Sequence, residues 1–252
     1  MRVVVIIPAR YASTRFPAKP LAVLGRKCII EWVYCAAKRV FDDVVVATDD
    51  NRIRSAVESF GGRVVMTSSE HSCGTERCAE ALSLLDEEYD IVVNVQGDEP
   101  FIRAEQLTDL VAMFDNPNID IATLATPIAA GDSADVHRSD IVKVALSRSG
   151  RALYFSRSAI PFVRDVEPQQ WGDRAAYYRH LGIYAFRSSV LQEITRLKPT
   201  ELELAERLEQ LRWLENDYAV GVAITPHSTI GIDTPEDLVR AEEYIANSEN
   251  CK

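Results

Sequence analysis

Three stretches of this sequence hold residue types suited to phosphate chemistry. The first, Pro8-Ala9-Arg10-Tyr11-Ala12-Ser13-Thr14-Arg15-Phe16-Pro17-Ala18-Lys19-Pro20, sets the cations Arg10, Arg15 and Lys19 within ten residues. Guanidinium forks and an ammonium point charge suit a polyphosphate, and the N–H groups of such a loop add to the cradle. The plain alternative is a solvated surface loop, against which stand the stiffening by three prolines and the position of the loop after a strand. The second stretch is Val93-Asn94-Val95-Gln96-Gly97-Asp98-Glu99-Pro100. Two acids after an apolar run, with a glycine that permits close backbone approach, suit a hard cation such as Mg²⁺; a simple turn uses the same residues. The third is Ile230-Gly231-Ile232-Asp233-Thr234-Pro235, where Asp233 either complements the positive end of a following helix or pairs with Asp98 as a second magnesium ligand. Neither G-x-x-x-x-G-K-[ST] nor G-x-G-x-x-G occurs, which argues against a Walker NTPase and a dinucleotide dehydrogenase. His71, Cys73 and Cys78 lie near one another, but zinc sites rarely use that spacing.

The elements that must position these stretches follow from hydrophobic periodicity. Apolar runs predict strands at Val3–Ile7, Val44–Thr48, Val64–Met66 and Ile91–Val95, alternating with helices at Ile29–Val40, Arg52–Phe60 and Thr75–Asp86. Buried-type strands separated by helices mean β-α-β units and a parallel sheet. Right-handed crossovers put the strand C-termini on one edge, where open α/β sheets bind ligands. The loops that start at Pro8, Asp49 and Gln96 are therefore the ones in a position to act. The second half reads as an antiparallel extension, with strands at Ile121–Thr126, Ile141–Ser147, Ala152–Ser156 and Leu181–Phe186. Asp165–Arg174, polar and containing Pro168 and Gly172, reads as a long mobile loop. Thr200 and Glu203 fit a capping box opening a helix with a Leu204, Leu208, Leu211 stripe. A strand at Val220–Ile224 precedes a final helix with Thr234 as N-cap and Pro235 at its first position.

The chain has 252 residues, 47% hydrophobic and 26% charged, which describes a soluble globular protein with room for a substantial core. A net charge of −10 and a pI of about 5.0 argue against a general nucleic-acid binder. No apolar run approaches the roughly 20 residues of a membrane span, and Val3–Ile7 ends in Pro-Ala-Arg without a signal-peptidase site. The five cysteines contain no C-x-x-C pair and are expected as reduced thiols in a cytoplasm.

The stretch Ile7–Pro20 resembles the N-terminal signature of the sugar-acid cytidylyltransferases. Further segments resemble the branch that activates 3-deoxy-manno-octulosonate (KDO): Gly74-Thr75-Glu76-Arg77, Asn94–Pro100, Ala152-Leu153-Tyr154-Phe155-Ser156-Arg157, Arg179-His180-Leu181-Gly182-Ile183-Tyr184, Leu208-Glu209-Gln210-Leu211-Arg212 and Asp233–Leu238. They occur in the family's order across essentially the whole chain. The resemblance implies a Rossmann-like, GT-A-like α/β nucleotidyltransferase domain over residues 1–252. Its central sheet would be mainly parallel, with a smaller antiparallel insertion or dimerisation region at about 121–190. It implies transfer of CMP from CTP to the anomeric hydroxyl of KDO with release of pyrophosphate, for lipopolysaccharide synthesis, by a cytoplasmic homodimer. Carried over by position, Arg10, Ser13, Arg15, Lys19, Gly74 and Asp98 would hold the nucleotide. Asp98 and Asp233 would hold Mg²⁺, and Lys19, Arg15, Asp98 and Asp233 would act on the reacting phosphate. Arg77, Gln96, Arg157, Arg164, His180, Tyr184, Glu209 and Gln210 would bind the sugar.

A cytidylyltransferase for 8-amino-KDO or a sialic acid is the nearest alternative, and a non-catalytic nucleotide-sugar binding protein is the alternative from another class. The family's loop carries Gly where this chain has Ala18. Alanine costs about 1 kcal/mol or more if the position needs φ > 0; the intact remainder of the loop favours the reading that it does not.

Overall fold

The computed structural model describes residues 1–12, 16–228 and 231–249, with side chains through 247. The chain forms two compact units: Met1–Thr108 with Thr229–Lys252, and Asp109–Ser228.

The first unit is built on β1 (Val3–Ala9), a short hairpin of β2 (Val23–Leu24) and β3 (Lys27–Cys28), α1 (Ile29–Lys38), β4 (Asp43–Thr48), α2 (Asn51–Ser59), β5 (Val64–Met66), α3 (Gly74–Ser83), β6 (Ile91–Asn94) and α4 (Ala104–Ala112). Its strands run in the order β6-β1-β4-β5, all parallel, as the alternating pattern predicts. Val4 to Ile7 are buried to within 1%. That follows from a central parallel strand covered on both faces, which is why this segment reads as an unbroken apolar run. The helix α1 buries Ile29, Ile30, Val33, Tyr34 and Ala37, one stripe at helical spacing. Helix and strand ends agree with the sequence expectation to within three residues, and β5 matches at both ends; the rest is the usual blur where terminal turns fray. The C-terminal helix, Pro235–Glu249, closes this unit. Its N-terminus is capped by Thr234, whose Oγ1 accepts from the Asp237 N–H at 3.2 Å, while Asp237 Oδ2 accepts from the Thr234 N–H at 2.8 Å.

The second unit comprises β7 (Ile121–Pro127), α5 (Ser133–His137), β8 (Lys143–Leu146), β9 (Ala152–Ser156), α6 (Trp171–Arg174), β10 (Tyr178–Arg187), α7 (Ser188–Ile194), α8 (Glu201–Glu206), α9 (Glu209–Glu215) and β11 (Val220–Ile224). Here β10 pairs antiparallel with β7 and β8, and β8 with β9, whereas β11 joins β7 in parallel. The antiparallel part lies where the sequence texture changes.

Two local expectations are corrected. Asp165–Arg174 is not an open loop: it forms a 3-10 turn at Pro168–Gln170 and then α6, and Trp171 is buried with Val136 and Tyr177. The Trp171 indole also donates to Val166 O at 3.0 Å. Polar neighbours masked one aromatic anchor. The Leu204–Leu208–Leu211 stripe is likewise broken. Glu203 accepts from the Thr200 N–H as a capping box requires, but the helix stops at Arg207 in the left-handed region. Leu204 is exposed, and Leu208 and Leu211 are buried at the start of and within α9.

A buried cation organises β8. Lys143 is 0% exposed, and its Nζ donates to Arg138 O (2.7 Å), Ile141 O (2.6 Å) and Arg157 O (2.6 Å). Burial pushes the ammonium below its ordinary value, with the Asp140 and Glu206 carboxylates pulling the other way. All three N–H groups are satisfied, so the charge is bound without a direct carboxylate partner. Lys143→Met takes the ammonium away from all three carbonyls, of which Arg138 O keeps only the Ile141 N–H, and is expected to lower stability by about 3–5 kcal/mol, read from the urea unfolding midpoint.

Candidate active site

The parallel strands of the first unit deliver their C-termini to one edge, and a cavity of 220 Å³ opens there. The loop after β1 contributes Arg10 and Lys19, and the turn after β6 contributes Gln96 and Asp98. The start of α3 adds Gly74, and the entry to the C-terminal helix adds Asp233. Their approach is set by backbone. The Ile232 N–H donates to Asp98 O at 3.0 Å, tying the third sequence stretch to the second. Gly97 leaves little room for a side chain, since a Cβ there would sit 3.0 Å from the backbone oxygen of Pro8. The glycine thus permits the close approach that its place in the motif suggests.

Lys19 lies between two carboxylates. Its Nζ donates to Asp98 Oδ2 at 2.5 Å and to Asp233 Oδ1 at 3.0 Å, with the lysine side chain 13% exposed. Burial opposes the charge, but Asp98 first and then Asp233 outweigh it and raise the Lys19 pKa. The lysine is a fixed cation at any physiological pH. Ser13 and Arg15, expected in the same loop, lie outside the described residues.

Other predicted residues of this unit are placed as follows. Gln96 donates to Asn94 Oδ1 at 3.2 Å and borders the cavity next to Gly74. Arg77 also borders it, but its guanidinium is committed to protein groups: Asp49 Oδ2 (3.0 Å), Thr67 Oγ1 (2.7 Å) and Ser68 O (3.1 Å). Arg77 thereby ties the Asp49 loop to the loop before α3. Sequence reading missed His71, which lines the cavity with Nε2 2.5 Å from Glu80 Oε2. Glu80 lies nine residues further on, within α3, a juxtaposition no short motif records.

 Ala18, immediately before Lys19, has φ 60° and ψ 18°, in the left-handed region. The position does need φ > 0, which corrects the expectation that alanine here is without consequence. The turn demands it: the Ala18 N–H donates back to Tyr11 O at 3.0 Å, and Ala18 O accepts from the Leu21 N–H at 2.9 Å. Ala18→Gly relieves a steric cost that exceeds the added freedom of the unfolded chain. It is expected to raise stability by about 0.5–1 kcal/mol, measured as an increased urea midpoint.

In the second unit, His180 and Tyr184 stand on β10. Their ring centroids are 5.5 Å apart, and Tyr184 also meets Trp213 edge-on at 5.0 Å. Desolvation pushes the His180 imidazole down to about 3, so it is neutral at physiological pH. Desolvation first, and then Glu209, raise the Tyr184 phenol well above its ordinary value. Glu209 and Gln210 open α9, with Gln210 buried. Arg157 is spent on backbone: its Nε donates to Glu206 O at 2.8 Å and its Nη1 to Ser139 O at 3.2 Å. Arg164 is 89% exposed and pairs only loosely with Asp165, at 3.4 Å, so nothing in this unit organises it into a pocket.

Residues 4–224 match the sequence profile described as cytidylyltransferase. The chain belongs to the cytidylyltransferase family. It is 53% identical to the 3-deoxy-manno-octulosonate cytidylyltransferase of Bacteroides thetaiotaomicron, over 98% of this chain and 99% of that one. It is 52% identical to the protein of the same name from Porphyromonas gingivalis, over 96% of each. Among solved structures it is similar to CMP:2-keto-3-deoxy-manno-octonic acid synthetase complexed with CTP, with a TM-score of 0.90, 38% identity, and coverage of 98% of this chain and 100% of that one. A 4-diphosphocytidyl-2C-methyl-D-erythritol synthase from Anaerococcus prevotii, at 18% identity and a TM-score of 0.62, shares the fold. The α/β nucleotidyltransferase architecture expected from the sequence is therefore the one this cytidylyltransferase has.

Proposed function

We infer that this protein transfers CMP from CTP to the anomeric hydroxyl of KDO, giving CMP-KDO and pyrophosphate for lipopolysaccharide synthesis. The observation that carries this reading is the 53% identity, over 98% of the chain, to a relative named for that reaction. The cavity chemistry agrees with it: Arg10 and Lys19 face a space bounded by Asp98 and Asp233, as a triphosphate site needs.

The reaction is an in-line displacement. The C2 hydroxyl of KDO attacks the α-phosphorus of CTP, the P–O bond to the β-phosphate breaks, and pyrophosphate leaves. Little covalent work falls to the protein, so positioning and charge stabilisation carry the catalysis. Lys19 offsets charge building on the leaving pyrophosphate, and Arg10 and Arg15 hold the phosphates. We assign KDO recognition to Gln96, His180, Tyr184, Glu209 and Gln210, whose amide, imidazole, phenol and carboxylate groups match a polyhydroxylated acid. Arg77, Arg157 and Arg164 belong to the same assignment; Arg77 is held by Asp49, Thr67 and Ser68, and Arg157 by Glu206 and Ser139.

The donor set also fits a magnesium ion. Two carboxylate oxygens, from Asp98 and Asp233, converge on the single cationic point now held by the Lys19 ammonium. Hard oxygen donors around one centre of positive charge are what Mg²⁺ takes. Asp98 and Asp233 would hold the ion, which when bound supplies Lewis-acid neutralisation of phosphate charge and acidifies a hydroxyl.

A homodimer formed through the region around residues 121–190, and a cytoplasmic location, complete the proposal. Leu153 and Phe162 are exposed apolar residues of that region, and Cys28 and Cys35 are free thiols.

Pyrophosphate release with CTP and Mg²⁺ tests the reaction, with KDO, 8-amino-KDO and N-acetylneuraminic acid as acceptors. Turnover with KDO is expected. Preference for another acid would overturn the substrate, and CTP binding without turnover on any of them would overturn the enzyme assignment. At fixed Mg²⁺, Asp98→Asn is expected to reduce kcat by about a hundredfold or more; a wild-type kcat would remove Asp98 from the metal site.

A further inference from the structure

The hydrogen bonds around Thr123 determine where His180 carries its proton. His180 Nε2 lies 3.0 Å from Thr123 Oγ1, and the same oxygen lies 3.1 Å from Leu181 O and 2.8 Å from Ile183 O. The one hydroxyl proton of Thr123 has three acceptors within reach, and the shortest contact, 2.8 Å to Ile183 O, is the one that points to where it goes, since a carbonyl oxygen only accepts. Thr123 Oγ1 is then left as an acceptor towards His180 Nε2. The neutral imidazole has a single N–H, which this contact places on Nε2, leaving Nδ1 as a lone-pair acceptor. Nδ1 has no hydrogen-bond partner among the described residues.

The same hydroxyl accounts for the local fold. Leu181 pairs with Leu124 but Tyr184 pairs with Thr123, so β10 bulges outward at Gly182 and Ile183. Across this bulge the His180 and Tyr184 rings meet, with centroids 5.5 Å apart. Thr123 Oγ1 lies within reach of the carbonyls on both sides of Gly182 and, bonded to one of them, holds the bulge in place.

We propose that Thr123 is a positioning residue: it locks His180 in the Nε2–H tautomer, so that Nδ1 accepts a hydrogen bond from a hydroxyl of the acceptor sugar. This rests on the assignment of His180 to KDO recognition. It also specifies what that position reads. A bare Nδ1 takes a hydroxyl donor and repels a carboxylate, so the sugar's carboxylate is bound elsewhere.

Long-range ¹H–¹⁵N NMR of the histidine rings tests the proposal, with His180 assigned by the loss of its signals in His180→Gln. The full-length wild type, Thr123→Ser and Thr123→Val are compared by NMR and by steady-state kinetics. The expected result is a protonated Nε2 and a bare Nδ1 in the wild type and Thr123→Ser, with the Nδ1 resonance moving when KDO is added. Thr123→Val is expected to lose the pure tautomer and to raise the KM for KDO about tenfold, the worth of one neutral hydrogen bond, with the change falling in KM more than in kcat. A wild-type ring protonated on Nδ1, or a Thr123→Val protein with wild-type tautomer and KM, would overturn the proposal. Should the valine variant fail to fold, the wild-type spectrum still decides. Absence of KDO turnover by the wild type would instead count against the assigned reaction, and the spectrum would judge the tautomer separately.

Discussion

Two carboxylates, Asp98 and Asp233, sit close enough to touch one ammonium, although they come from turns far apart in the chain. Like charges at that separation repel, and a lysine between them removes the repulsion. Much of the first unit serves to bring these three groups together. The parallel strands align the loop of Lys19 with the turn of Asp98. Gly97 lets that turn lie against β1, and the Ile232–Asp98 backbone bond draws Asp233 alongside. The Thr234–Asp237 cap then fixes the start of the helix that follows. A site for polyanion and cation chemistry is preorganised because its charged groups are already held in place by one another before any ligand arrives.

The second unit solves a different problem, that of holding polar side chains inside an apolar setting. Lys143 and Thr123 both direct their polar atoms at backbone carbonyls of irregular stretches of chain. Leaving such groups unpaired would cost more than the bonds themselves return. In each case the satisfied backbone neighbours a residue assigned to the sugar: Arg157 beside Lys143, and His180 beside Thr123. Support of this sort fixes orientation without touching a ligand.

Ala18 shows a cost carried within the phosphate loop itself. A non-glycine residue at φ 60° is retained immediately before Lys19, where the tight turn sets the direction from which the ammonium enters the cavity. Strain at such a position persists only when surrounding bonds over-determine it, and here two backbone hydrogen bonds do so.

By itself the sequence determined the alternation of strands and helices in the first half, the antiparallel character of the region after residue 120, the caps at Thr200 and Thr234, and the candidate status of Lys19, Asp98 and Asp233. These were legible because each depends on neighbours in the chain: side-chain period, turn chemistry and cap spacing are local quantities. The tertiary structure alone decided that Lys19 bridges both acids, that Arg77 is bound to Asp49, Thr67 and Ser68, that His71 meets Glu80, and that Trp171 anchors a segment whose polar composition suggested a loop. It also decided the left-handed turn at Ala18, the break between Leu204 and Leu208, and the bulge that folds His180 towards Tyr184. In most of these cases the deciding partner lies on another element, and hydrogen bonding and burial between elements leave no periodic mark on the sequence of either one.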